Sequence, residues 1–323
     1  MGLELRDLWI TSAVNAQQVV RTAALIVATV IGATAHLSVR GASGISFRDC
    51  PQCPALMIIP SGRFTMTRKR ARDGRKDDDP EGFSKTQPAR EVIIDEAFAI
   101  GIYPVTRYEF SIFIRETHRA IEKGCHVQRD GVWILDDSKD WIDPGFAQTP
   151  RDPVTCVSWE DAQAYIQWLN GKIGGAARSD SDSGPYRAPT WEEAEYAAGA
   201  GAVTPYYWGQ RADHDQANYG ADKCLPCRPK RQGADRWLYT SPVGSFPPNA
   251  FGLYDMAGNV WQWAQRCRPD AKDSSPGVCR SQVLHGGSWL TNPEYLLTGE
   301  YSYADARHRN NEIGFRVAKT LAP

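Results

Sequence analysis

The sequence predicts a single α+β domain in which irregular coil occupies much of the chain. Eleven tryptophans and 28 glycines among 323 residues, against four methionines, favour a turn-rich fold packed with aromatic rings over a helical bundle. Hydrophobic residues make up 42% and charged residues 23%, which is typical of a globular chain. No segment of 20–50 residues repeats, so a solenoid or a propeller is not expected.

The first forty residues are typical of a targeting segment. Residues 22–39 contain no charged side chain, His36 being neutral at pH 7, and the Ala-Thr-Ala sequence at 33–35 offers a small-x-small cleavage site. The run is marginal for a membrane span and fits the hydrophobic part of a signal peptide. We expect residues 1–40 to be a signal peptide, with an uncleaved N-terminal anchor as the alternative. Either way, residues 45–323 would form a periplasmic or secreted domain.

Eight cysteines agree with an exported protein, because an even number in such a chain indicates disulfide bonds, although spacing alone does not give their connectivity. Two Cys-x-x-Cys pairs also have the ligand spacing of a four-thiolate zinc site. Export favours bridges over zinc. A thioredoxin-like redox role is less favoured still, because neither proline-rich context offers a helix N-terminus after a strand. The first pair is Cys50 and Cys53, and the second pair is Cys224 and Cys227.

Strand patterns occur at residues 54–64 and 91–105, where apolar and β-branched residues cluster. Thr106 is a suitable N-cap for the helix that follows, in which Phe110 and Phe113 recur at helical spacing.

A long polar connection is predicted at residues 125–158. A bridge between Cys125 and Cys156 would close it and stabilise the fold by about 3–4 kcal/mol in the chain-entropy model. Ser158, followed by acidic residues, is the predicted N-cap of the next helix.

The third predicted helix begins at a capping box formed by Thr190 and Glu193 and ends at Gly199. Residues 202–250 show little pattern of regular structure, and the charged run at 68–82 is typical of a solvated loop. A net charge of −1 argues against nucleic acid as a partner.

Glycines, aromatic residues and oxygen-bearing side chains alternate most densely between residues 251 and 316. This stretch is either the C-terminal core of an irregular domain or a binding region that needs close backbone approaches. Nine segments succeed one another over about 270 residues: DCPQCPALMIIPSGRFTM, YPVTRYEF, PVTCVSWEDAQAYIQWLN, YRAPTWEEAEYAA, PYYWG, ANYGAD, PVGSFPPNAFGLYDMAGNVWQW, HGGSW and GFRVA.

This ordered set closely resembles the sulfatase-modifying-factor family, whose namesake is the formylglycine-generating enzyme. The resemblance covers nearly the whole chain after the targeting segment, and it is the order of the segments that makes it specific. It implies a single α+β domain with a rearranged C-type-lectin-like fold and much irregular coil.

The resemblance also implies where copper would bind. In the copper-dependent members, two cysteines beyond the Gly-Gly-Ser motif bind Cu(I), and the centre uses O2 to oxidise a cysteine of an unfolded sulfatase. A soft cation needs such thiolates. Aligned on Gly286–Ser288, this chain has Thr291 and Leu296 at those two positions, and no cysteine follows Cys279. We therefore do not expect copper, and Cys267 is better placed to bridge to Cys279.

Two calcium sites are implied by the resemblance, each combining side-chain and carbonyl oxygens as calcium prefers. The family commonly has Glu where this chain has Gln262, which would weaken the second site. Alternatively, these groups only form hydrogen bonds within turns. The first set is the side chains of Asn218 and Asp235 with the carbonyls of Tyr219 and Trp237. The second set is the side chains of Asp255 and Gln262 with the carbonyls of Gly258 and Val260.

Our preferred hypothesis is an exported, calcium-stabilised family member that lacks the copper and cysteine machinery. It would act in the cell envelope on an unidentified protein or small-molecule ligand, either by binding it or by a tailoring reaction without copper. It would contact the membrane only through an N-terminal anchor, if that segment is retained. The candidate cleft is lined by Trp261, Ser288, Trp289, Thr291 and Arg307.

Three other functions are less favoured. One is a working oxidoreductase that converts a sulfatase cysteine to formylglycine, and another is a lectin-like structural or interaction module. The least favoured is Ser–His–acid hydrolysis, which would need Ser288 with His285 or His308 and shows no nucleophile-elbow motif.

Overall fold

The computed structural model describes residues 44–66, 89–129, 131–174, 184–220, 233–268 and 279–322. The predicted targeting segment and the charged run at 68–82 lie outside these ranges. The strands are β1 (Ser46–Phe47), β2 (Leu56–Ile59), β3 (Gly62–Met66), β4 (Arg90–Ile94), β5 (Phe98–Gly101), β6 (Cys125–Arg129), β7 (Val132–Asp136), β8 (Tyr186–Arg187), β9 (Trp261–Cys267), β10 (Ser281–His285), β11 (Tyr301–Asp305), β12 (Ile313–Phe315) and β13 (Ala318–Thr320). The helices are α1 (Arg107–Thr117), α2 (Trp159–Lys172) and α3 (Trp191–Gly199), with a 3-10 helix at Pro293–Leu296.

Short strands form two main sheets. A five-stranded sheet has the order β1-β2-β5-β13-β8, and a four-stranded sheet has the order β11-β10-β9-β12. In the second sheet β9 and β10 are antiparallel, whereas β12 runs parallel to β9. Strands β2 to β5 fall where the strand patterns were predicted, and the pairs β3–β4 and β6–β7 form separate hairpins.

All three helices begin at the predicted N-caps. Thr106, Ser158 and Thr190 each accept a hydrogen bond from the backbone of the third helical residue, whose acidic side chain bonds back to the cap. These reciprocal bonds satisfy backbone donors that the helix itself leaves unpaired. Helix α3 ends at Gly199 as predicted, but the left-handed capping conformation is taken by Ala200, with φ of 47°.

The polar connection predicted at residues 125–158 contains regular structure that was not predicted, because a β-hairpin forms there. Cys125–Arg129 pairs antiparallel with Val132–Asp136. Strand β6 is also held from outside the hairpin, since its His126 forms a bridge with Asn310. The pairing therefore depends on a residue far along the chain, which a local pattern cannot reveal.

Three disulfide bonds occur in the described residues. Cys125–Cys156 and Cys267–Cys279 pair as predicted, and Cys50–Cys53 forms a bridge within its own Cys-x-x-Cys segment. This bridge removes two of the four thiolates that the zinc alternative would need.

The other Cys-x-x-Cys pair lies outside the described residues. Disulfide bonding was also predicted for Cys224 and Cys227, and both positions fall between the described ranges 184–220 and 233–268. The structure therefore gives no bridge for Cys224 or for Cys227, and their pairing stays a prediction.

No helix in the described part of the chain is long and apolar enough to span a membrane.

Aromatic rings fill the core between α1, α2 and β12. Phe315 lies 6.3 Å from Phe110 and 5.3 Å from Tyr165, measured between ring centroids, in edge-on contacts that aromatic pairs prefer. Trp263 of β9 is fully buried and its indole donates a hydrogen bond to Val157 O at 3.2 Å. These contacts fix β9 and β12 side by side, and with them the residues that precede each strand.

Candidate functional site

Three glycine-containing segments, residues 252–263, 285–289 and 314–318, meet where β9 and β12 begin and β10 ends. Trp261 N donates a hydrogen bond to Glu312 O at 2.8 Å, because the two strands run parallel. Gly258 N donates to Gly286 O at 2.7 Å, which holds the loop after β10 against the loop before β9. The loop that carries Gly-Gly-Ser therefore lies beside Glu312.

Ser288, in the loop after β10, forms hydrogen bonds with Glu312, Leu290 and Thr291. Its hydroxyl donates a short hydrogen bond to Glu312 Oε2 and accepts one from Leu290 N at 3.2 Å. Its backbone N–H donates to Thr291 Oγ1 at 2.8 Å, and the Thr291 hydroxyl donates back to Ser288 O at 3.1 Å. We call Trp261, Ser288, Thr291, Tyr295 and Glu312 the Ser288 site.

Glu312 gives this site its titratable group. Burial raises the pKa of its carboxyl to about 7, although the hydrogen bond from Ser288 acts in the opposite direction. A carboxyl group with a pKa near neutral can both donate and accept a proton near pH 7. The arrangement is chemically suited to general acid–base work on a bound hydroxyl or amide.

Thr291 and Leu296, the two positions where the family resemblance implies copper-binding cysteines, converge on Gly287. Its φ is +71°, and a methyl group there would lie 2.7 Å from Leu296 Cδ2 and 2.9 Å from Thr291 Oγ1. Both side chains are buried, and Leu296 packs in a cluster with Tyr206 and Tyr219. A hydroxyl and an isobutyl group thus lie at the two positions where the resemblance implies thiolates.

Only part of the predicted cleft comes together. Trp261 lies beside the Ser288 loop, and its ring meets the half-exposed ring of Tyr295 edge-on at 5.9 Å. Trp289 instead belongs to the core: its indole donates to Asn311 O at 3.3 Å, and its ring contacts the rings of Phe146 and Tyr239.

Arg307 is not brought to this site. It follows β11, whose last residue Asp305 pairs with Ser281 at the end of β10 remote from Ser288. Its side chain is exposed and pairs with Glu160 at 3.2 Å.

Glu312 was missed from the sequence, although it stands two residues before the Gly-Phe-Arg segment. A carboxylate beside a family motif could have been noted, but no spacing rule connects it to Ser288, 24 residues earlier. Neither His285 nor His308 is a hydrogen-bond partner of Ser288 in the described residues, so the arrangement does not favour a Ser–His hydrolase. Burial and Arg316 lower the pKa of His285 to about 3.

The first predicted calcium set lies in a buried region with an unpaired oxygen. Asn218 and Asp235 are each 1% exposed, and Asn218 Nδ2 donates to Tyr239 O at 2.8 Å. Asn218 Oδ1 has no hydrogen-bond partner among the described residues. His214 lies 3.4 Å from Asp235 Oδ2 and stacks on Tyr219, the residue after Asn218. The unpaired amide oxygen of Asn218 and the buried carboxylate of Asp235 are oxygen groups of the kind that calcium prefers.

The second set forms a closed network of hydrogen bonds instead. Gln262 Nε2 donates to Asp255 O at 2.7 Å, while Gln262 Oε1 accepts from the guanidinium of the buried Arg316 at 2.8 Å. The Asp255 carboxylate accepts from Gly244 N at 2.8 Å. Because a positive side chain already contacts Gln262, this conformation fits the hydrogen-bonding alternative better than calcium. No group of three or more His, Cys, Asp or Glu side chains suited to a metal occurs within the described ranges.

The fold, the motif order and the geometry around Gly287 together define a sulfatase-modifying-factor domain. A family profile described as the sulfatase-modifying factor enzyme 1-like domain matches residues 43–321. The chain therefore belongs to the sulfatase-modifying-factor family, and its α+β fold is the rearranged C-type-lectin-like fold expected from the sequence.

Relatives with and without the "inactive" designation match this chain. The inactive C-alpha-formylglycine-generating enzyme 2 of Mus musculus is 34% identical over 268 residues, covering 74% of this chain and 75% of that protein. The formylglycine-generating enzyme of Mycobacterium tuberculosis is 29% identical over 293 residues, covering 74% and 88%. The structure of PvdO from Pseudomonas aeruginosa is 30% identical with a TM-score of 0.66, covering 87% of this chain and all of PvdO.

Proposed function

We propose that this protein is an exported member of the family that lacks copper-dependent cysteine oxidase activity. It acts in the cell envelope by binding a protein or small-molecule ligand, or by tailoring it without copper, at the Ser288 site. The observation that carries the proposal is the convergence of Thr291 and Leu296 on Gly287. The scaffold that would hold a copper centre is present, and its sulfur ligands are not.

Ligand chemistry supports this proposal. Cu(I) prefers soft thiolates, and neither a hydroxyl nor an alkyl group can replace them. The sequence has no cysteine after Cys279, so no shift in alignment supplies a thiol from this part of the chain. One relative is named as inactive, and the similarity to it agrees with a branch of the family that keeps the fold without the oxidase activity.

The Ser288 site suggests what takes the place of that chemistry. Glu312 provides a proton donor and acceptor near pH 7, and Ser288 provides a hydroxyl already hydrogen-bonded to it. The exposed ring of Tyr295 provides an apolar surface beside these polar groups, and the buried ring of Trp261 packs against it. We infer a ligand with a polar group for Glu312 and an apolar or planar part for the ring of Tyr295.

Export and calcium are also parts of the proposal. Three disulfides are favoured in an oxidising compartment, which agrees with export and with a domain in the periplasm or outside the cell. The unpaired oxygen of Asn218 supports one structural calcium ion at the first set. Calcium at the second set stays a prediction that the bonds of Gln262 do not favour.

The test is to incubate the purified protein with copper, O2 and a Cys-x-Pro-x-Arg peptide, and to look for the aldehyde by mass spectrometry. We expect the peptide cysteine to be unchanged under conditions in which an active formylglycine-generating enzyme converts it. Aldehyde formation by this protein would refute the proposal and establish the oxidase alternative. Anaerobic Cu(I) titration gives an independent result, since two-coordinate sulfur ligation would contradict the proposal without any turnover.

A further inference from the structure

Two partly exposed histidine side chains that are not part of the Ser288 site lie with their rings in contact. His126 lies in β6, and His308 lies in the turn after β11. Their ring centroids are 4.4 Å apart with an angle of 32° between the ring planes. Both residues are partly exposed, so an ion from solution can reach them.

The ring of His126 is already held in a fixed orientation. Its Nδ1 lies 3.1 Å from Arg309 O, and a neutral ring that donates from Nδ1 to this carbonyl keeps the lone pair of Nε2 free. Metal-binding histidines are commonly held in this way, with one ring nitrogen bonded to a backbone carbonyl and the other facing the ion.

The backbone on both sides of the pair is also restrained. His126 N donates to Arg309 O at 2.8 Å, and Asn311 N donates to His126 O at 3.0 Å. His308 N donates to Asp305 O at 2.9 Å. The disulfide Cys125–Cys156 anchors the residue next to His126. The two rings therefore need little ordering before they bind an ion.

Charges around the pair are mostly paired with one another. Arg309 bonds to Asp161 at 2.9 Å and to Glu122 at 3.3 Å, and Arg307 pairs with Glu160.

We propose that His126 and His308 together bind one divalent transition-metal ion of the class that prefers imidazole, such as Cu²⁺, Ni²⁺ or Zn²⁺, with water in the other positions. Imidazole nitrogens bind such ions at about 2.0–2.1 Å, so two rings whose metal–nitrogen bonds meet at a right angle have centroids about 4.5 Å apart. The observed centroid separation of 4.4 Å, with ring planes inclined by 32°, is close enough for both rings to reach one ion. The terminal torsion of histidine is broad, so the ring of His308 would turn to direct a nitrogen toward Nε2 of His126, whose own ring stays held by Arg309 O.

A bound ion would join the β6–β7 hairpin to the segment that leads from β11 to Glu312. Because it would bind the folded protein and not the unfolded chain, it would raise the melting temperature. The site is independent of the proposed function, since it shares no residue with the Ser288 site.

The experiment is electron paramagnetic resonance of Cu²⁺–iminodiacetate added to the full-length protein. This chelate leaves equatorial positions open, so we expect a signal with two imidazole nitrogens from the protein. His126→Gln and His308→Gln should each weaken binding by about tenfold or more, because one ligand cannot use the chelate effect. His118→Asn is the matched control: His118 is exposed at a left-handed helix end, a conformation that Asn tolerates, and this variant should bind as the parent does.

Circular dichroism will establish that the variants are folded. Binding that is unchanged in both glutamine variants, or a parent signal with a single protein nitrogen, would overturn the proposal. A second measurement gives an answer even if one variant is unstable: Ni²⁺ should raise the melting temperature of the parent and of His118→Asn alike. An equal rise in His308→Gln, or no rise in the parent, would also overturn it.

Discussion

The carboxyl group of Glu312 and the hydroxyl of Ser288 come from segments that are distant in sequence, yet each is the other's hydrogen-bond partner. The loop after β10 and the start of β12 both pack on β9, and this shared neighbour brings the two residues together. Burial disfavours the ionised form of this carboxyl and so raises its pKa. The pH dependence of stability therefore tests how deeply the carboxyl is buried.

Glu312→Gln should flatten the dependence of stability on pH. The carboxyl pKa rises from its ordinary value of 4.5 to about 7 on folding, so between these values the folded protein binds more protons than the unfolded chain. The contribution of Glu312 to stability is therefore fully present below about pH 4.5 and is lost as the pH rises through about 7. Glutamine remains neutral at both pH values. The difference in the free energy of unfolding between pH 5 and pH 8 should therefore be smaller in the variant than in the parent by about 1–3 kcal/mol.

Urea denaturation of the parent and the variant at both pH values measures this change. Glu96→Gln, which alters an exposed carboxylate, is the control and should leave the pH dependence of the parent nearly intact. If the free energy of unfolding depends on pH in the same way in Glu312→Gln and Glu96→Gln, the carboxyl of Glu312 is solvated. The assignment of Glu312 as the acid–base group is then incorrect.

At the residue scale, the sequence identified some of the site and missed some of it. The positions of Thr291 and Leu296 followed from the motif, and the structure brings them together at Gly287. Trp289 stands beside Ser288 in sequence but packs into the core, because neighbouring residues in a tight loop point in different directions. Glu312 is identified only by its hydrogen bond with Ser288, a contact that no local sequence pattern predicts.

Asn218→Ala should abolish a calcium-dependent rise in melting temperature. In the parent we expect calcium to raise the midpoint of thermal unfolding and EGTA to lower it, because the ion would bind the unpaired Asn218 Oδ1 and the buried Asp235. The variant loses one oxygen ligand and should respond by less than half as much. Differential scanning calorimetry with and without EGTA measures both. A full calcium response in the variant would place the ion elsewhere.

At the scale of elements, helix boundaries were predictable and the hairpin was not. A cap such as Ser158 acts on a backbone N–H three residues away, so the whole signal lies within one turn of sequence. The β6–β7 hairpin depends on Asn310 and Arg309, which hold β6 from the far end of the chain. Its exposed Val132 and Leu135 also lack the one-sided pattern that marks a strand over a core.

Removing the Cys125–Cys156 bridge should cost more than removing Cys50–Cys53. The first bridge closes a segment of 31 residues and the second a segment of three, and the entropy lost by the unfolded chain grows with the logarithm of that length. We expect losses of about 3–4 and about 2 kcal/mol for the two double alanine variants. Guanidinium denaturation compares them directly, and equal losses would mean that the loop-closure account does not describe this fold.

At the scale of the whole molecule, the C-terminal strands complete both sheets. Strand β13 lies between β5 and β8, and β12 lies beside β9, so residues near 318 pair with residues near 100. Consecutive elements are usually neighbours, and this arrangement departs from that rule. Composition and periodicity could predict an α+β domain rich in coil. The sheet order could come only from the family resemblance, because it depends on pairings between opposite ends of the chain.

The preserved scaffold leads to a gain-of-function test, in which Thr291→Cys and Leu296→Cys are combined in one protein. Both native side chains lie against Gly287, so two thiols at these positions should face each other within reach of one ion. We expect the double variant to bind Cu(I) under anaerobic conditions with two-coordinate sulfur ligation, measured by X-ray absorption. Its affinity should exceed that of either single variant by about tenfold or more, because only the pair can chelate. The parent should show no such ligation. If the folded double variant does not bind, the two positions do not form a copper site, and the missing sulfur no longer supports the proposal that this protein lacks copper chemistry.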